Sequence, residues 1–409
     1  MSICRICTNS IQPIISYGKM PIANGFLTPK KFDTEYFFEL ACGFCEHCFM
    51  FQLIEQPAPE IMFHDQYAFF SQTSKSMCQH FEGVANNIVS SLQNPSPFVI
   101  ELGCNDGIML KHIANKKINH LGIEPSTNVA AVANSHGVKT SSEFFSLELA
   151  KSIKIEHQSA DIIYSANVMC HIPNLPDLAL GIAHLLTDDG RLIFEDPYLG
   201  DVLQKTSYDQ IYDEHVFLFS LHSVSQAFGA VGLELINCEH LNTHGGSMRY
   251  TLARTGKYPV SASVRKHFEF ERKLGLNRLE PYLTFAHNCQ ASKLALVSLF
   301  NDLKSQGKII AGYAATSKST TILNYCGINN SHLDYICDTT PIKQGKYTPG
   351  THIPVVPYEH FQNTPPDYAF LFAWNHLHEV MDKEQGFITK GGKWVTHVPK
   401  VEIFQREYA

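Results

Sequence analysis

Short apolar runs alternate with stretches of helical spacing along most of the chain. Phe98-Val99-Ile100-Glu101-Leu102 is one such run, too short for a buried helix, and it predicts a buried strand. It leads into Gly103-Cys104-Asn105-Asp106-Gly107 and then a helix over 108–114. Further strands are expected over 120–124, 160–166 and 190–195, the last preceded by a helix over 178–186. Strands alternating with helices predict a parallel α/β sheet between about residues 95 and 240. A helix over 74–92 precedes it and is closed by Pro95-Ser96-Pro97. Residues 262–306 are helical and comparatively charged, a connector into a second α/β unit with strands over 308–313, 333–338 and 368–375. Residues 1 to about 60 show little regular pattern. The expected fold is α/β with four segments: a small module at 1–75, a Rossmann-like sheet at 76–255, a helical connector at 256–306 and a second Rossmann-like unit at 307–409.

Composition narrows the function. Of 409 residues, 32 are Lys or Arg and 39 are Asp or Glu, a net charge of −7. Charged residues make up 17%, against about 25% in an average soluble protein, while apolar residues hold at 44%. Disorder and coiled coil need far more charge. An acidic chain without basic runs lacks the footprint of a nucleic-acid binder, so small molecules are the expected partners. The longest charge-free, apolar-leaning stretch, 216–233, carries His222, serines and glycines and fails as a membrane span. With no basic, apolar leader at its start, the chain is expected to be a cytoplasmic monomer away from membranes.

Twelve cysteines divide unevenly, with Cys4, Cys7, Cys42, Cys45 and Cys48 near the start and seven scattered singly. Cys4-x-x-Cys7 and Cys45-x-x-Cys48 are two hooks separated by 37 residues. Zinc takes four tetrahedral ligands and each hook supplies two, so a closed structural zinc site is expected. Cys42 competes as a partner for Cys45 and is kept as a spare. Residues 18–21 and those following are expected to loop out between the hooks.

The turn after the first strand, Glu101-x-Gly103-x-x-x-Gly107, departs from the dinucleotide fingerprint, and Asp106 would repel a pyrophosphate there. A ligand with a cationic centre and no phosphate suits it, which points to S-adenosylmethionine. Glu101, Gly103, Asn105, Asp106 and Gly107 would form the cradle. Glu124, 17 residues past Gly107, is placed for the ribose hydroxyls, and Asn167 ends the next strand facing the same crevice.

Candidate chemistry concentrates in Tyr208-Asp209-Gln210-Ile211-Tyr212-Asp213-Glu214-His215, with His171 just after the strand that borders the donor. Methylating carbon needs a base to remove a proton α to a carbonyl and donors for the enolate oxygen. Histidine titrates in the right range, Tyr212 could donate to the oxyanion, and Glu214 could hold the imidazole tautomer. Asp213, Glu214 and His215 could instead suggest a metal, but adjacent residues on one short segment seldom converge on one ion.

Taken together these motifs resemble the sugar C-methyltransferases that act at C3 of nucleotide-linked 4-keto-6-deoxysugars. The resemblance rests on three blocks spanning almost the whole chain. The first holds both Cys hooks, Met20-Pro21-Ile22-Ala23-Asn24-Gly25-Phe26 and Tyr67-Ala68-Phe69-Phe70-Ser71-x-x-Ser74 with His80. The second runs from Glu101 through Asn167–His171 and Ile211–His215 to His244-Gly245-Gly246-Ser247-Met248-Arg249. The third holds Asp338–Thr351 and Trp374-Asn375. The resemblance implies His215 as the general base, Tyr212 and Glu214 as its helpers, His171 near the carbonyl and Tyr67 reaching the sugar. Asp213 stands where many relatives carry another histidine, and Gln72-Thr73 where they often carry small polar residues. Its implied partner is a dTDP- or GDP-linked sugar.

Gly312-Tyr-Ala-Ala-Thr-Ser-Lys318-Ser319 comes within one glycine of a P-loop but carries Ser317 where the second glycine belongs. It reads better as a strand-to-helix turn whose Thr316, Ser317 and Lys318 hold a sugar diphosphate, joined by Lys343, Lys346, His244 and Arg249. His376-x-His378-Glu379 reads as solvated. Two other classes compete with the sugar reading. The acidic charge counts against a zinc-containing methyltransferase acting on RNA, and the Tyr212/Glu214/His215 set counts against a non-catalytic sugar binder.

Overall fold

The computed structural model describes residues 2–62, 71–73 and 75–405. Tyr67 lies outside the described residues, as do the aromatics flanking it.

The N-terminal module is more regular than its sequence suggests. β1 (Gln12–Pro21) and β2 (Phe37–Phe44) form an antiparallel hairpin, and β3 (Phe51–Leu53) pairs with β2. Residues 18–21 do not loop out; they are the end of β1. Register shifts between Pro13 and Ile15 and between Ser16 and Lys19 break the strict alternation that would have announced the strand.

The middle unit is a seven-stranded sheet. Five parallel strands, β4 (Phe98–Leu102), β5 (Asn119–Ile123), β6 (Thr140–Ser141), β7 (Ala160–Ala166) and β8 (Leu186–Pro197), carry the helices that the sequence spacing indicates. The short β9 (Phe217–Leu218) leaves this unit and pairs with β3, extending the N-terminal sheet. β10 (Leu233–Leu241) and β11 (Ser247–Arg254) close the edge antiparallel, giving the order β10-β11-β8-β7-β4-β5-β6. The strand order reverses between β4 and β7, where a ligand crevice opens past the strand ends.

Helices Ala262–Leu274 and Glu280–Ser305 form the connector. The last unit orders β12 (Ile310–Tyr313), β13 (Ile336–Asp338), β14 (Val355–Pro357), β15 (Tyr368–Leu371), β16 (Lys393–Thr396) and β17 (Glu402–Phe404) as β14-β13-β12-β15-β16-β17. Only β17 runs antiparallel there, so this sheet too has a switch point, between β12 and β15.

The cores cross these boundaries. Cys4, Cys45 and Met50 pack in one apolar cluster with the middle sheet, whereas Tyr17, Leu40 and Phe44 of the hairpin pack with the C-terminal sheet. Leu27 and Tyr347 exchange backbone hydrogen bonds at 3.2 and 2.9 Å, fastening the hairpin to the last unit. Among the described residues no helix is long and apolar enough to cross a membrane.

Candidate active site

Three constellations carry chemistry. In the first, the Sγ atoms of Cys4, Cys7, Cys45 and Cys48 all lie within 4.8 Å of one another. The closest pairs are Cys4–Cys48 at 3.5 Å and Cys7–Cys45 at 3.4 Å. A tetrahedral ion with bonds of about 2.3 Å spaces its sulfurs by about 3.8 Å, so the set fits zinc closely. Each hook is the same tight knuckle, with Thr8 N donating to Cys4 O and Phe49 N to Cys45 O. The amide of Gln52 donates to Cys4 Sγ at 3.1 Å and Ile6 N does so at 3.4 Å, which suits a thiolate. Cys42 is not a ligand; it is buried in the other core, beside Cys289.

The second is the crevice at the β4/β7 switch point. Gly103 holds φ +67°, and a Cβ there would sit 2.2 Å from the Val168 side chain. The turn therefore lies flush against the loop that follows β7, and only glycine allows it. Glu124 accepts from Asn105 N at 3.0 Å and Ser126 N at 2.9 Å, locking the turn to the end of β5. Asp106 accepts from Gln72 N at 2.9 Å and Asn105 from Ser71 N at 3.0 Å, so Ser71 and Gln72 lie against the turn. Among the described residues, Glu101 Oε2 and Asp106 Oδ1 are buried oxygens with no hydrogen-bond partner. Burial, then the neighbouring Asp106 and Glu124, push Glu101 well above the usual carboxylate range. A positively charged ligand relieves such a set, and S-adenosylmethionine carries both an ammonium and a sulfonium. Gly103→Ala should weaken donor binding about tenfold or more, because a non-glycine residue at positive φ costs ~1–3 kcal/mol before the Val168 clash is counted. Calorimetry with the donor measures this, and unchanged affinity would place the donor elsewhere.

The third lies on the far side of the β7 loop. Nδ1 of His215 is 2.7 Å from the Gln210 carbonyl. A carbonyl only accepts, so Nδ1 carries the proton and the Nε2 lone pair faces the Tyr212 hydroxyl at 2.8 Å. Gln210 thus does what the sequence reading gave to Glu214, whose Oε1 accepts from Asn24 at 2.7 Å. The imidazole of His171 stacks on His215 with centroids 5.3 Å apart. Burial lowers His171 to about 3 and drives His215 well below the ordinary histidine value, so both rings are neutral near pH 7. Burial and the nearby Glu214 push Tyr212 the other way, so its phenol keeps its proton. The site therefore holds a neutral imidazole beside a phenol that keeps its proton. Cys170, His171 and His215 also bring ligand atoms within 4.8 Å of one another, a grouping the metal reading of 213–215 did not anticipate.

The C-terminal unit reaches this site. Thr316 caps helix Ser317–Cys326, accepting from Ser319 N. Ser317 donates to Asn24 Oδ1 at 3.0 Å, and Thr321 donates to Ile211 O at 2.7 Å. Lys318 is half-buried, donates to His244 O at 3.3 Å and lies over the Trp374 ring. Lys343 donates to Ala315 O at 2.8 Å and is lowered by burial. Lys346 follows on the same loop, its amide bonded to Lys343 O. His244 holds φ 54° and is lowered to about 4 by burial and then by Lys318. Arg249 stands apart: its guanidinium pairs with Glu195 at 2.8 Å and Glu239 at 2.6 Å. Glu195 also takes His80 at 2.7 Å, and its carbonyl accepts from Asn167 N. Sequence reasoning passed over Gln210 and Asn24. The first acts through a main-chain atom that leaves no signature, whereas Asn24 stood in a quoted motif without a role.

Three family models match in succession. Residues 4–63 match one described as "Putative zinc binding domain", residues 79–237 one described as "Methyltransferase domain", and residues 242–399 one described as "C-methyltransferase C-terminal domain". C-methyltransferase NovU of Streptomyces niveus is 29% identical over 408 residues, covering 99% of this chain and 97% of that protein. Solved methyltransferase structures align over less than half of the chain. A SAM-dependent methyltransferase from Anabaena variabilis is 16% identical with a TM-score of 0.34, covering 42% of this chain and 84% of that one. Magnesium protoporphyrin IX methyltransferase from Synechocystis is 16% identical with a TM-score of 0.33, covering 44% and 79%. Neither structural likeness is close enough to bear on what this chain binds. A zinc-binding match, a methyltransferase match and a C-methyltransferase match follow in one order, and a C-methyltransferase is similar from end to end, so the chain is similar along its length to the S-adenosylmethionine-dependent C-methyltransferases that its motifs resemble.

Proposed function

We propose that this protein methylates C3 of a nucleotide-linked 4-keto-6-deoxyhexose, with His215 as the general base. The observation that carries the proposal is the neutral, buried His215. Its Nδ1–H is spent on a backbone carbonyl, and its Nε2 lone pair accepts the Tyr212 hydroxyl, which must turn to the substrate oxygen for Nε2 to take a substrate proton. A hydroxyl acceptor would need no such oxyanion donor, whereas carbon does.

When bound, S-adenosylmethionine supplies an electrophilic methyl group on sulfur. The 4-keto group acidifies the C3 hydrogen, and Nε2 of His215 takes that proton. The electron pair of the broken C–H bond moves onto the C4 oxygen, where the Tyr212 hydroxyl or His171 donates to it. C3 would then bond to the donor's methyl carbon as the carbon–sulfur bond breaks, the electron pair remaining on sulfur and the C4 ketone re-forming. Gln210 holds the imidazolium through Nδ1 throughout. Lys318, Lys343, Thr316 and Ser317 flank the same loop from the C-terminal unit and suit the diphosphate of a dTDP or GDP sugar.

The test is a mass-spectrometric screen of the methyl donor with a panel of dTDP- and GDP-linked 4-keto sugars. A product heavier by one methyl group, carried on carbon, is expected from at least one. Methyl transfer to RNA or to hydroxyl acceptors, with none to any keto sugar, would overturn the reading.

A further inference from the structure

The catalytic loop carries a buried charge that the proposed chemistry does not use. Asp209 is fully buried one residue before Gln210. Its Oδ2 accepts the indole N–H of the half-buried Trp374 at 2.6 Å, and its Oδ1, which makes no hydrogen bond among the described residues, faces Nε2 of the wholly buried His397 at 3.6 Å. Burial alone would raise this carboxyl, but His397, Lys318 and the Trp374 N–H outweigh it and hold it below its ordinary value. Lys318, Trp374 and His397 follow β12, β15 and β16 respectively, so three strand ends of the C-terminal sheet converge on one carboxylate from the middle unit. The indole is pinned from its other side too, because a Cβ on Gly245 would sit 2.3 Å from the Trp374 ring.

A buried carboxylate hydrogen-bonded by an indole and faced by an imidazole and an ammonium group holds the backbone that bears it. Here that backbone is the single turn Tyr208–Gln210, whose last carbonyl holds His215. The Gln210 side chain closes the turn by donating to His244 O at 2.6 Å, the carbonyl that Lys318 also reaches.

We propose that Asp209 is a positioning residue: anchored by Trp374 and His397, it sets the Gln210 carbonyl that selects the Nδ1–H tautomer of His215. The inference rests on His215 being the base, yet its first readout needs no substrate. In nitrogen-15 spectra of the intact, metal-loaded enzyme labelled at histidine, wild-type His215 is expected as the Nδ1–H tautomer. Asp209→Asn keeps an acceptor for Trp374 but loses the charge, and should lower the ratio of Nδ1–H to Nε2–H forms about tenfold, roughly what one hydrogen bond confers. Turnover should fall about tenfold while KM for the nucleotide sugar stays within about threefold. Trp374→Phe removes the N–H donor with part of the ring but leaves the Asp209 charge in place, should shift the tautomer ratio the same way, and decides the matter if Asp209→Asn does not fold. A variant that melts earlier yet keeps the wild-type tautomer ratio overturns the proposal and leaves Asp209 a stabilising residue only. Shifted tautomers in an enzyme inactive on every keto sugar would support the positioning role while sinking the sugar reading.

Discussion

His215→Ala should abolish exchange of the C3 hydrogen of a 4-keto nucleotide sugar with deuterated solvent, and methyl transfer with it. Exchange in the absence of the methyl donor isolates proton abstraction from carbon–carbon bond formation. A positioned general base contributes about 10²–10⁴-fold, and the loss should lie at the upper end of that range because the site offers no ready substitute. His171 is the nearest imidazole, but it is driven to about 3 by burial and is a weak acceptor. Tyr212 is pushed upward and keeps its proton. Binding should survive, since the groups assigned to the diphosphate lie on other elements, so the variant should titrate with the nucleotide sugar almost as wild type does. Tightly bound substrate without exchange is the expected combination. Exchange near the wild-type rate in His215→Ala would remove His215 from the role of base, whatever happened to methylation.

The second large effect concerns the zinc module. Replacing Cys45 and Cys48 by Ser should leave the protein without its zinc and unfold the N-terminal sheet. Structural zinc in small domains is worth about 10–16 kcal/mol at neutral pH. That exceeds or matches the ~5–15 kcal/mol by which a whole domain is usually stable. The four sulfurs also replace a core that this module is too small to build alone. Metal content by plasma emission and melting by circular dichroism check both statements. Stoichiometric zinc in the double variant would show that the ion is held elsewhere. Activity should fall with the fold, because β3 carries β9 and β9 begins two residues after His215.

The candidate crevice was legible because a strand, a turn and a helix compress its residues into one stretch. Glu101 through Gly107, with Glu124 one strand later, need only two elements to be placed together. The Tyr212–His215 contact was legible for the same reason, the two residues being a single turn apart. What escaped was long-range or main-chain. The Trp374–Asp209 contact spans 165 residues, and no local pattern marks a tryptophan as the anchor of a distant turn. Strands β10 and β11 carry ordinary alternation, but their place at the edge beside β8 is set by tertiary pairing. The β1–β2 hairpin was hidden by its register shifts, which move side chains from one face to the other partway along. Tyr67, which the family resemblance assigns to the sugar, belongs to the stretch outside the described residues.

The pairing of β3 with β9 bears on how the protein can be made. Leu53 N donates to Val216 O at 2.8 Å, so the loop ending at His215 has an edge to close on only where residues near 50 are already ordered. The other face of that loop waits for Trp374 and His397, which the ribosome adds 165 or more residues after Asp209. During synthesis the crevice at the β4/β7 switch point can form early, while the loop bearing His215 remains unset until those two residues have emerged. A chain truncated before Trp374 would therefore present the crevice without an ordered His215 beside it.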